Sequence, residues 1–264
     1  MAVSPEDDVL KSLDLTGRGY VVIGAGQGIG AATCRALAGL GARLLCVDND
    51  IVRGAAIAQE TGGSAVMADV TKRSDVARVF AEAHDLFGQD LCGAVDIVGM
   101  AKIGPLDALR DEDWDQQFDI VLRHAFLTIQ IGGERLAARG GGSLAFVGSI
   151  SGHLSIAGQS AYGAAKAALH HLVETAAHEL GPKNVRVNAV APSFVRTPRL
   201  LDLGADFWSD ISAALPLRRP AEPSDIAKAL VFLLSDMSSC MTGAIVPVDG
   251  GLANVAAVKG FLKD

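Results

Sequence analysis

The sequence predicts an α/β protein built on one doubly wound, mainly parallel sheet with helices on both faces. Three observations carry this. At 264 residues the chain has the length of one domain able to bury its own core. Short β-rich runs alternate with longer helical patterns, the order that crossover connections impose on a parallel sheet. The strand runs are continuously apolar, as strands covered on both faces require. No repeat, linker or low-complexity segment divides the chain, so residues 1–264 read as a single domain.

The first strand run, 20–23, leads into Gly24-Ala-Gly-Gln27-Gly28-Ile29-Gly30 and a helical stretch. Glycines here let the backbone turn tightly and approach a pyrophosphate, whose charge the free N–H groups of a helix start favour. Alone, the pattern also fits a merely tight strand-to-helix turn. The second run, 43–47, ends on Asp48. A carboxylate there accepts hydrogen bonds from both ribose hydroxyls and repels a 2′-phosphate. Neither Gln27 nor Asn49 offers positive charge, so NAD is expected over NADP.

The third run, 65–67, precedes Asp69-Val70, placed to meet an adenine; Asp69 equally fits the cap of a helix beginning near Arg73. The fourth, 94–98, contains Asp96, either a contact for adenosine ribose or a backbone amide, or a structural carboxylate. The fifth, 143–147, delivers Ser149. Thirteen residues later comes Tyr162, with Lys166 four further on, which puts a phenol and an ammonium on one helix face. Hydroxyl, phenol and ammonium together suit moving a proton on and off a secondary alcohol. Gly181-Pro182 should end that helix at Leu180. The sixth run is 185–190; the seventh, 244–248, contains Pro247 and should lie at a sheet edge.

Taken together, these motifs resemble the short-chain dehydrogenase/reductase family over nearly the whole chain. Val187-Asn-Ala-Val-Ala-Pro192, Thr197-Pro198, the segment from Pro216 to Ile226 and Val248-Asp-Gly-Gly251 extend the match. The resemblance implies a Rossmann-type domain and a nicotinamide cofactor. It also implies catalytic roles for Ser149, Tyr162 and Lys166. Tyr162 would be the general acid/base, Lys166 would lower its pKa and bind ribose, and Ser149 would hold the substrate oxygen. It places Val195 and Thr197 beside the nicotinamide carboxamide and adds Val98 and Pro192 to the cofactor contacts.

Three departures stand out. Ile23 replaces a threonine, Asp96-Ile97-Val98-Gly99 replaces Asn-Asn-Ala-Gly, and Val121 replaces a helix asparagine. In the family the threonine and an asparagine are polar partners, so the first two together suggest apolar repacking, because losing both sides of a buried hydrogen bond costs less than losing one. The third removes a side chain that links the lysine to solvent. His124, one turn from Val121, is expected to be a partly exposed helix residue.

Substrate contacts are expected from Ser151 and His153 after Ser149, from Met100 and Ala101, and from a lid at 193–217 carrying Phe194, Phe207 and Trp208. That greasy lid favours an apolar, alicyclic or steroid-like secondary alcohol. Alternatives are a 3-oxoacyl-thioester reductase and a non-catalytic dinucleotide-binding regulatory protein. His170, His171 and His178 lack metal-pair spacing and read as solvated, with no metal site expected. Cys34, Cys46, Cys92 and Cys240 are scattered inside mostly apolar segments, as buried thiols in a reducing compartment would be. Net charge is −7 without a basic cluster, which argues against nucleic acid. Residues 1–8 are acidic and unlike a secretion signal, and no apolar run approaches a membrane span; a cytoplasmic location follows. Apolar faces on the helix after Asp111, on the Tyr162 helix and at 252–262 lead us to expect a homotetramer or homodimer.

Overall fold

The computed structural model describes residues 9 to 254. Seven parallel strands form one sheet in the order β3-β2-β1-β4-β5-β6-β7. They are β1 (Gly19–Ile23), β2 (Arg43–Asp48), β3 (Ser64–Met67), β4 (Leu91–Asp96), β5 (Gly142–Val147), β6 (Val185–Pro192) and β7 (Ile245–Val248). The order reverses between β1 and β4, which opens a crevice at the carboxyl ends of the strands.

Alternation along each strand feeds two apolar layers. In β1, Val21 and Ile23 join one cluster while Tyr20 and Val22 join the other. The first layer is closed by α3 (Arg73–Phe87), by the helical stretch from Ala125 to Leu136, and by α7 (Ser160–Leu180). The second is closed by α1 (Gly28–Gly39), α2 (Ile51–Thr61) and α9 (Pro223–Leu234), with α1 and α9 packed together. This is the Rossmann-type architecture the motifs imply, and Pro247 does sit on the edge strand.

β4 starts and ends earlier than its apolar run suggests. Ile97 still donates to the Ile23 carbonyl at 3.0 Å, but the Val98 N–H turns back to Asp96 Oδ1 at 3.2 Å, which ends the ladder. The long helical segment is also irregular. α4 (Asp111–Phe118), α5 (His124–Leu127) and α6 (Gly133–Ala138) are separated by wide π turns at Asp119–Arg123 and Thr128–Gly132. Such turns recur at functional sites because they re-aim side chains. Cys34 and Cys46 are buried free thiols, whereas Cys92 is half-buried and Cys240 is exposed, so the cysteine pattern holds only in part. No described helix is long and apolar enough to cross a membrane. Residues 255–262 of the apolar C-terminal stretch lie outside the described residues.

Candidate active site

The glycine turn is shaped by what its neighbours leave room for. Gly24 has φ +83°, and its N–H and that of Ala25 donate to Val47 O at 2.8 and 3.0 Å, locking the turn onto β2. A Cβ at Gly30 would collide with the Gly24 carbonyl, so this glycine lets α1 start directly against the strand. Asp48 ties the next turn in: Oδ2 accepts the Gly26 N–H at 2.8 Å, and Oδ1 accepts the Asp50 N–H at 3.0 Å and Arg53 Nη2 at 3.3 Å.

These groups border a cleft of about 290 Å³. Its wall includes Gly24, Gln27, Gly28, Ile29, Asp48, Asp69, Val70, Val98 and Thr197, all singled out from sequence. Gly30, Pro192, Val195, Tyr162 and Lys166 are not among its lining residues. Arg53, Ile120 and Arg199 are. Arg53 corrects the expectation of no positive charge near Asp48, which weighed only residues adjacent to the strand end; the first turn of α2 brings the guanidinium back. Asp69 does not cap α3. Its Oδ1 accepts the Thr71 N–H and hydroxyl at 3.2 and 2.6 Å, while the α3 cap position, Lys72, makes no side-chain cap bond. Tight glycine turns, a helix start, a carboxylate at the end of β2 and the cleft they border fit a dinucleotide.

At the other end of the crevice, β5 leads to Ser149 and α7 brings Tyr162 and Lys166 against it. Ser149 is buried; its Oγ lies 3.1 Å from Ser151 Oγ and accepts the Ser151 N–H at 3.1 Å. Ser151 Oγ donates in turn to Gln159 at 2.7 Å. Burial raises the Tyr162 phenol above its ordinary value, and its hydrogen bond with Ser149 partly offsets that. Lys166 Nζ donates to Val147 O at 2.6 Å and lies 5.7 Å from the centre of the Tyr162 ring. Burial lowers the Lys166 ammonium to about 8, against an upward pull from Asp96. A Cβ at Gly99, in the cleft wall, would be 3.2 Å from Lys166 Nζ, so the ammonium lies just behind that wall.

His170 corrects the view that the α7 histidines are solvated. His171 and His178 are exposed, but His170 is buried beneath the turn after Ser149, and its Nε2 accepts the Ser149 N–H at 3.4 Å. Burial, with His153 and Lys166 nearby, lowers it to about 4, so it accepts this bond as a neutral imidazole. A Cβ at Gly152 would lie 2.5 Å from its ring, so glycine is needed where the turn crosses the histidine. His153 is exposed and its ring rests 4.5 Å from that of His170.

The β4 end departs most from expectation. Ile23 is buried opposite Asp96 as an apolar replacement, yet Asp96 has not lost its polar company. His124 Nδ1 is 2.7 Å from Asp96 Oδ2, and Thr128 Oγ1 donates to the same oxygen at 3.1 Å. The polar contact has moved from β1 to the helix, so purely apolar repacking is wrong. His124, at 1% exposure, is buried and not a surface residue. Asp96 answers its own question: it holds the Val98 amide and is absent from the cleft wall. Val121 is fully buried inside the first π turn. Val121→Asn is expected to lower the melting temperature, by an amide desolvation of about 1–3 kcal/mol, and not to raise turnover. A more active and equally stable variant would contradict this.

Segment 193–217 folds as a short 3₁₀ turn, Leu201–Leu203, and α8 (Ala205–Ala214). Phe194, Phe207 and Trp208 stack edge to face, with centroids 5.8 and 5.3 Å apart. Trp208 is buried with Arg196 of the same segment above its ring at 5.5 Å, so the two ends of the segment pack on each other.

A dinucleotide cleft in the crevice of a doubly wound sheet, next to buried serine and lysine side chains and a half-buried tyrosine, defines a nicotinamide-dependent oxidoreductase. Residues 24–253 match the family model described as enoyl-(acyl carrier protein) reductase. The chain belongs to the short-chain dehydrogenase/reductase family and is an alcohol dehydrogenase within it. It is 36% identical over 249 residues to galactitol 2-dehydrogenase (L-tagatose-forming) of Cereibacter sphaeroides, covering 90% of this chain and 95% of that one. It is 37% identical to cis-4-hydroxycyclohexanecarboxylate dehydrogenase of Sinomonas cyclohexanicum, covering 89% of this chain and 96% of the relative. Among solved structures it is similar to 7α-hydroxysteroid dehydrogenase complexed with NADH and 7-oxo glycochenodeoxycholic acid. There the TM-score is 0.86, identity 27%, and coverage 91% of this chain and 96% of that one.

Proposed function

We propose that this enzyme transfers a hydride between NAD(H) and the carbinol or carbonyl carbon of an apolar, alicyclic secondary alcohol or ketone. The observation that carries the reaction is the convergence of Ser149, Tyr162 and Lys166, with the Lys166 ammonium directly behind the Gly99 wall of the dinucleotide cleft. When bound, the nicotinamide supplies the hydride acceptor or donor. Tyr162 takes the hydroxyl proton during oxidation and returns it during reduction. Ser149 Oγ, oriented by the Ser151 amide and by His170 beneath its backbone, holds the substrate oxygen. The Lys166 ammonium offsets the burial that makes the Tyr162 phenol a weak acid, and binds ribose. Asp48 favours NAD because it places negative charge where a 2′-phosphate would sit.

The substrate class rests on the aromatic lid at 193–217 and on two relatives named for ring-bearing substrates. Ser151, His153, Phe194 and Phe207 border the substrate, and Trp208 supports the lid from below. A 3-oxoacyl thioester is the second reading, favoured by the 34% identity to the (3R)-3-hydroxyacyl-CoA dehydrogenase of Mus musculus. We also infer a cytoplasmic homotetramer or homodimer; Trp114 and Phe126, each 41% exposed along α4 and α5, support an interface there. The test is reduced-nicotinamide absorbance with NAD and NADP against hydroxycyclohexane carboxylates, hydroxysteroids, sugar alcohols and 3-hydroxyacyl thioesters. Highest kcat/KM is expected with NAD and a cyclic alcohol; a preference for thioesters or open-chain polyols overturns the substrate assignment.

A further inference from the structure

Gln159 is the residue from which α7 starts. Its carbonyl accepts the Gly163 N–H at 2.7 Å, yet its side chain makes no cap bond. A polar side chain at a helix start ordinarily turns its acceptor on the free N–H groups of the first turn. This one reaches out of the helix to Ser151.

A glutamine carbonyl oxygen can only accept, so Ser151 Oγ uses its proton on Gln159 Oε1 at 2.7 Å. Ser151 Oγ is then an acceptor toward Ser149 Oγ at 3.1 Å, while the Ser151 N–H donates back to that same Ser149 oxygen at 3.1 Å. Two contacts of Ser149 Oγ thus come from one residue, and where Ser151 sits decides where the Ser149 hydroxyl points. The Ser151 backbone also lies close to α7, since a Cβ at Gly163 would be 3.1 Å from Ser151 O, beside Tyr162. The stretch between the two anchor points, 153–158, is mostly exposed. The bond from Ser151 to Gln159 therefore ties the turn after β5 to the start of α7 where the chain joining them does not.

We propose that Gln159 is a positioning residue: its side-chain carbonyl fixes Ser151, and through Ser151 the Ser149 hydroxyl, relative to Tyr162 on the first turn of α7. This rests on the dehydrogenase function above. Hydride transfer requires one substrate oxygen to meet Ser149 and Tyr162 together while its carbon faces the nicotinamide, so slack between the two hydroxyls lowers the rate of the chemical step. Ser149, Ser151 and Gln159 are all absent from the lining of the dinucleotide cleft, so the same slack leaves cofactor binding intact.

Gln159→Met keeps the length of the side chain and removes its acceptor. With the best substrate of the panel above, single-turnover hydride transfer is expected to fall about tenfold, and NADH affinity, read by fluorescence titration, to change by less than about twofold. Ser151→Ala breaks the chain one step nearer Ser149 and should slow the same step by at least about tenfold. The double variant should be no slower than Ser151→Ala alone, because Gln159 acts only through Ser151. An unchanged rate in Gln159→Met overturns the proposal. So does a double variant in which the two losses multiply, and so does a loss of NADH affinity as large as the loss of rate, which marks general damage to the fold. Should Gln159→Met fail to fold, Gln159→Ala in the same cycle decides. Wild-type turnover and its dependence on Tyr162 test the dehydrogenase function separately: a chain inactive on every alcohol removes both, whereas an active chain indifferent to Gln159→Met removes this proposal alone.

Discussion

Tyr162→Phe is expected to lower kcat by about a thousandfold in both directions, the middle of the range for losing a general acid/base. NADH affinity should change by less than about threefold, since the ring still packs and Lys166 keeps its anchor on Val147. Thermal stability should hold or rise slightly, because the variant removes a buried hydroxyl together with its desolvation cost. Stopped-flow hydride transfer with steady-state kcat and an NADH binding titration separates these effects. Turnover that survives the substitution unchanged would remove Tyr162 from the mechanism.

Asp48→Ala is expected to cut the preference for NAD over NADP by about a hundredfold, roughly 3 kcal/mol, from two changes that act together. The carboxylate that repels a 2′-phosphate disappears, and Arg53, 3.3 Å from it, is released. Its guanidinium keeps only the longer contacts to Asp50 at 3.5 Å and Asn49 at 3.4 Å, and such a group is well suited to grip a phosphate. The same substitution strips acceptors from the Gly26 and Asp50 amides, so NAD affinity itself should fall. Asp48→Asn separates the two effects: it retains an acceptor for the loop but not the charge. Ratios of kcat/KM for the two cofactors check this, and unaltered discrimination in both variants would place the ribose elsewhere.

Most of the sheet was legible because buried parallel strands write themselves as apolar runs, and the glycine turn, Asp48, Ser149, Tyr162 and Lys166 follow at set distances along the chain. The stop at Leu180 and the edge position of Pro247 were equally readable, since proline and glycine act on the backbone locally. The misses have a common origin. His124, His170 and Arg53 are ordinary polar residues on helices, and only their neighbours across the fold give them meaning: Asp96 for His124, the Ser149 amide for His170, and Asp48 for Arg53. A weak signal did exist for two of them. Asp96 and Thr128 are polar within apolar stretches, and Gly148 and Gly152 flank Ser149 where His170 leaves no room for side chains.

The chain's own sequence thus determined the doubly wound architecture, the dinucleotide turn and the Ser149, Tyr162 and Lys166 set, because each depends on spacing along one or two elements. Only the tertiary structure decided what surrounds that set. Whether Asp96 meets a ribose or a histidine and whether His170 meets solvent or a backbone amide depend on contacts between elements far apart in sequence. Electrostatic environment is a property of space, not of order along the chain. It is therefore the part of this active site that folding, not motif, specifies.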